Sequence, residues 1–115
     1  MMIIKNMVSE INAAAKEIGI KGFYHGFNPA ANKLPFVCYT IISDVPALNA
    51  DDTEIQSKIS IRIHIITKDG AYERIYAKIN RIMLELGFSR VQATDIIEDG
   101  LKIKAMDYIT GVETI

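Results

Sequence analysis

Glu54-Ile55-Gln56-Ser57-Lys58-Ile59-Ser60-Ile61-Arg62-Ile63-His64-Ile65-Ile66-Thr67 places isoleucine at every second position from Ile59 to Ile65, with Ile55 in phase before them. Lys58, Ser60, Arg62 and His64 stand between. Side chains two residues apart share one face of a strand, so this stretch has an apolar face and a polar face. The same β-branched residues on a helix would be scattered around it. The pattern predicts a long strand with one face on the core and Ile61 and Ile63 at its centre. On that reading, truncating Ser60 or Arg62 costs little, because both point away from the core.

Working outward, Phe36 to Ile42 forms a second apolar run, opened by Leu34-Pro35. Proline suits the first position of a strand, where its missing donor does no harm. Phe36, Cys38 and Ile42 alternate with Val37, Tyr39 and Ile41, so both faces are apolar. Such a strand is expected to be central, or covered on both sides. Ser43 to Thr53 then reads as a polar connection, far longer than the usual hairpin loop, which suggests a role of its own.

Ile4, Met7, Val8, Ile11, Ala14, Ala15 and Ile18 recur at three- and four-residue spacing and predict an amphipathic helix ended by Gly19. A short extended piece, Ile20 to Tyr24, and a loop, His25 to Leu34, follow. Beyond Thr67-Lys68-Asp69-Gly70, the residues Ile75, Ile79, Ile82, Met83 and Leu86 mark a second helix, with Tyr72 and Tyr76 extending its stripe and Gly87 ending it. Phe88 to Ile97 and Leu101 to Val112 read as strands around a tight turn, for which Asp99-Gly100 is a favoured pair. In the last strand Leu101, Ile103 and Ala105 alternate with Lys102, Lys104 and Met106. The order is α-β-β-β-α-β-β. It predicts one α+β domain over residues 1–115, with a mainly antiparallel sheet of four to five strands covered by two helices.

The chain has 115 residues, half of them hydrophobic and 23% charged, with 13 Lys and Arg against 14 Asp and Glu. One domain of this size buries about two thirds of its unfolded surface. A net charge of −1 argues against non-specific binding to nucleic acid or anionic membrane as the main activity. The opening Met1-Met2-Ile3-Ile4-Lys5-Asn6 is too soon polar for a signal peptide, and no apolar run reaches spanning length. A soluble intracellular protein is expected.

Little in the chain suggests catalysis. Cys38 is the single cysteine, so no intrachain disulfide can form, and an apolar strand makes it a small buried hydrophobe. A thiol–base pair with His64 across neighbouring strands is the sharper alternative, but nothing in the sequence marks the thiol as activated. His25 sits by the Gly26 turn. No metal-ligand spacing occurs, and no cofactor is implied. Asp51, Asp52 and Glu54 lack the oxygen spacing of a calcium loop. Gly19, Gly22 and Gly26 do not form a dinucleotide or phosphate loop. Lys58, Arg62, Lys102 and Lys104 are expected on polar strand faces, either solvated or lining one face of an assembly, without the interleaved aromatics of a base-stacking surface.

Several features together resemble the tail terminator (tail completion, head-tail joining) proteins of long-tailed bacteriophages and prophages. They are the N-terminal helix, the crossing Gly22-Phe23-Tyr24, the strand Leu34-Pro35-Phe36-Val37-Cys38-Tyr39, and Ala50-Asp51-Asp52 leading into an alternating strand. The helix Tyr72 to Leu86 before Gly87-Phe88 and two closing strands complete the pattern. The motifs are short, and the resemblance lies in their order along nearly the whole chain.

The resemblance implies a structural, non-enzymatic protein that caps the tail tube as a homo-oligomeric ring, typically a hexamer, and that can be monomeric in solution. Such a ring stops polymerisation and presents the head-joining surface. The implied partners are the tail tube protein and a head-completion or connector protein, with no membrane and no sequence-specific nucleic acid. The implied location is the host cytoplasm during assembly, then the virion tail. It also implies that the connection Asp44-Val45-Pro46-Ala47-Leu48-Asn49-Ala50-Asp51-Asp52-Thr53 makes subunit contacts. Val45, Pro46, Ala47 and Leu48 are apolar for a solvated loop, which suits partner contact. Lys58, Arg62, Lys102 and Lys104 would then face the ring lumen or the tube. Two other classes remain open: a small-molecule-binding or regulatory α+β dimer, and a minor nucleic-acid-binding domain. Particle size in solution and DNA binding at moderate salt separate the three.

Overall fold

Ile59, Ile61, Ile63 and Ile65 are all fully buried, while Ser60, Arg62 and His64 between them are partly exposed. The alternation therefore forms the long strand its period requires. The computed structural model describes residues 2–20, 23–26, 35–50 and 53–113; at 2–3, 43–50, 53–58 and 111–113 only the backbone path is described. Along the chain run α1 (Met2–Ile18), β1 (Phe23–His25), β2 (Phe36–Ala50), β3 (Thr53–Thr67), α2 (Glu73–Glu85), β4 (Ser89–Glu98) and β5 (Leu101–Glu113). This is the expected α+β order, α-β-β-β-α-β-β, with two helices and five strands among the described residues.

The five strands form one sheet in the order β1-β2-β3-β5-β4. All neighbouring pairs are antiparallel except β1 and β2, which run parallel. Both helices lie on one face. Met7, Ile11 and Ile18 of α1 and Ile75, Ile79, Ile82 and Met83 of α2 pack with the four β3 isoleucines, Phe23, Val37, Tyr39, Met106 and Tyr108. α1 ends where expected: Gly19, at φ +89°, lets its own amide and that of Ile20 both donate to the Ala15 carbonyl.

The opposite face carries a second buried cluster of Phe36, Cys38, Ile66 and Ile103, flanked by Tyr24, Ile96 and Leu101. From Phe36 to Tyr39 strand β2 thus contributes to both clusters, as its two apolar faces require. In β5 the alternation is present, and the structure assigns its two faces. Met106 and Tyr108 face the helices, and Lys104 shares their phase; Leu101 and Ile103 belong to the second cluster. Both faces of β5 are partly buried, so alternation alone does not show which of them looks at the helices.

The connection after Ile42 is a further correction. The segment expected to be a loop continues as strand: Asp44 pairs with Ile59, Val45 with Lys58, Pro46 with Ser57 and Ala50 with Thr53. Register shifts at Ile41/Ser43, Pro46/Leu48 and Leu48/Asn49 absorb the residues that do not fit a regular ladder. Ile42, expected in phase with Phe36 and Cys38, is the extra residue of the first bulge and is exposed. Since β3 also pairs with β5 as far as Gln56 and Glu113, β2, β3 and β5 extend together as an arm. It makes the molecule elongated, 52 × 27 × 24 Å.

Candidate functional site

Three features stand out: the arm, the helix-free sheet face and the outer sheet edges. Of the residues expected in a subunit-contact loop, Asp44, Val45, Pro46, Ala47, Leu48, Asn49 and Ala50 form the outer part of β2, and Thr53 starts β3. Asp51 and Asp52 lie outside the described residues, as do the side chains of 44–50 and that of Lys58.

On the helix-free face, Arg62 is committed to a partner. Its Nε donates to Asp107 Oδ1 at 2.7 Å and its Nη2 to Oδ2 at 3.1 Å, while Gln92 Nε2 donates to Oδ2 at 2.7 Å. The cause is register: Arg62 and Asp107 are direct partners across β3 and β5, and Gln92 opposes Asp107 from β4. The Arg62 hydrogen bond holds the Asp107 carboxyl below the usual carboxylate range, although burial works the other way. With His64 and Thr94 these side chains line a shallow depression of about 190 Å³. Arg62 is therefore not a free cation on a solvated strand face.

Lys104 departs from expectation in the other direction. It lies on the helix side, 3.1 Å from Asp95, with its ammonium over the rings of Tyr76 and Tyr72 at 4.9 and 5.8 Å. Arg90 donates to the Tyr76 hydroxyl and sits 5.7 Å from the centre of that ring. The group clamps α2 to the β4–β5 hairpin. Lys102 alone of the three cations with described side chains is exposed.

Cys38 and His64 are direct register partners across β2 and β3. Burial pushes the thiol up to about 11 and lowers the His64 pKa, with Arg62 lowering it further. Both groups are thus neutral near pH 7, the reverse of a thiolate–imidazolium nucleophile. His25 stacks on Tyr39 at 4.8 Å. Among the described residues, no three His, Cys, Asp or Glu side chains converge as a metal site, and no helix is long and apolar enough to cross a membrane.

Sequence reasoning missed Asp107 and Gln92, and it missed the exposed apolar side chains Val91 and Ile97 of β4, 63% and 77% accessible. Asp107 did leave a signal. A carboxylate inside Ala105-Met106-Asp107-Tyr108-Ile109 needs a partner wherever the strand is buried.

No family model matches the sequence, and no match to a curated protein is found. Among solved structures, the fold is similar to a chain described as "Virion of native gene transfer agent (GTA) particle". The likeness has a TM-score of 0.62 at 13% identity and covers 96% of this chain and 91% of that one. At that identity the likeness is one of fold.

Proposed function

We propose that the chain is a structural protein of a phage-type virion or prophage, which caps the tail tube as a ring, stops tail polymerisation and provides the head-joining surface. The observation that carries this reading is the near end-to-end match of fold to a virion component, 96% of one chain on 91% of the other. The arm formed by β2, β3 and β5 supports it. Three strands that extend together, with Val45 to Leu48 apolar in sequence, suit contact with a neighbouring subunit better than free solvation. The neutral Cys38–His64 pair gives no competing catalytic reading. The tail tube protein and a head-completion protein are the expected partners, and a hexamer the expected ring.

The test is deletion of the gene from an inducible phage or prophage, followed by electron microscopy of the lysate. The expected result is free heads beside overlong or unattached tails, restored to normal by the gene supplied in trans. Normal-length tails attached to heads in its complete absence would overturn the proposal.

A further inference from the structure

We infer that copies of the chain join edge to edge into one continuous sheet, with β4 of one protomer pairing antiparallel to the Thr40–Val45 part of β2 in the next. The inference rests on the ring reading above and specifies the seam of that ring.

The sheet ends in two different edges. β4 is the outer strand on one side, and eight of its ten residues are exposed. On the other side β1 covers β2 only from Val37 to Tyr39, so among the described residues the outer edge of β2 is unpaired from Thr40 onward. A strand edge with free amides and carbonyls is a template for another strand unless lysine, proline or strong twist blunts it. Ser89 to Glu98 contains neither lysine nor proline, and its one register shift is confined to Val91, which leaves Gln92 to Glu98 regular. The β2 edge carries Pro46 and two further register shifts beyond it, so the union is confined to Thr40 to Val45, where one shift, at Ile42, interrupts the ladder.

Direction and surface character agree with a head-to-tail union. β3 is antiparallel to β2, β5 antiparallel to β3, and β4 antiparallel to β5. β4 therefore runs opposite to β2, and a second copy added in the same sense pairs antiparallel without reversal. Each edge carries two exposed apolar side chains, Val91 and Ile97 on β4 and Ile41 and Ile42 on β2, which the union would cover. A twofold union of β4 with β4 would leave every β2 edge open and stop at two copies. A union of unlike edges repeats, and closes as a ring when its rotation allows.

The test is thiol crosslinking of the full chain at a concentration where higher oligomers form, in a Cys38→Ala background. Thr94→Cys and Thr40→Cys both place the thiol on the helix-free face, one near each edge. The expected result is crosslinked dimers, with a short bifunctional thiol reagent, only when the two variants are mixed, and a ladder of multimers from the double variant. Crosslinking of Thr94→Cys with itself would overturn the inference in favour of twofold pairing. Oligomers that form but crosslink in no combination would overturn it while leaving the ring reading intact. In parallel, Val91→Lys and Ile97→Lys together should raise the concentration for half-assembly at least ten-fold with no change in melting temperature; unchanged assembly would also overturn it. If the mixed crosslink forms but the protein leaves tail length unaffected, the ring-cap reading fails and the seam stands.

Discussion

Asp107 is held by three hydrogen bonds in a strand where its neighbours are apolar, and that sets two expectations. Removing Arg62 leaves a 9%-exposed carboxylate with only Gln92. Arg62→Ala should therefore cost about 1–3 kcal/mol, the penalty for a poorly satisfied buried group rather than that of a surface ion pair. An unchanged urea midpoint would show the pair to be solvated, as alternation alone implied. The folded pKa of Asp107 lies below its unfolded value, so its contribution is present above about pH 4 and is lost as pH falls through the folded pKa. Asp107→Asn should accordingly flatten the acid limb of the stability profile; urea midpoints taken at stepped pH check this, and an acid limb as steep as the parent's would contradict it. Ile61 and Ile63, both fully buried in the helix-side core, should each cost about 2–5 kcal/mol as alanine. A harmless Ile61→Ala would mean the faces are assigned wrongly.

At the scale of elements, the β4–β5 hairpin shows sequence and structure in agreement. Asp99 and Gly100 take φ values of +51° and +76°, with Glu98 and Leu101 paired beside them, as a two-residue turn of this hand requires. A Cβ on Gly100 meets nothing within 4 Å. Gly100→Ala should thus cost only the backbone penalty, about 1 kcal/mol, read as a shift in denaturant midpoint with unchanged slope. A larger loss with a changed slope would mean the turn controls pairing beyond itself. Helices and strands were legible because their periods are local. The β5 phase was not, because Leu101, Ile103 and Ala105 look like a core face whichever side the helices take. The β2 extension was not legible either: Asp44, Pro46 and Asn49 disfavour strands, and only pairing with residues 54–59 and the bulges accommodate them. The parallel placement of β1 and the order β1-β2-β3-β5-β4 depend on contacts distant in sequence, which no local pattern reports. Of the expected site, the arm was legible as an unusual segment, whereas the Asp107 partners were set by register alone.

At the scale of the whole molecule, the 52 Å long axis carries the functional argument. Extending β2, β3 and β5 together fixes a long run of backbone that a free monomer gains little by ordering. On the proposed ring reading, contact with a neighbouring copy would offset that cost. The consequence is a separation of effects between the helix-covered end and the arm. Val45→Ser with Leu48→Ser should leave the melting temperature of the monomer nearly unchanged, because the core around Ile61, Ile79 and Met106 does not depend on the arm. The same pair should abolish assembly on tail tubes, measured as loss of higher oligomers in sedimentation and as overlong tails in complemented lysates. A large drop in monomer stability would place those side chains in the monomer's own core, and the arm would then be part of the fold rather than a contact between copies.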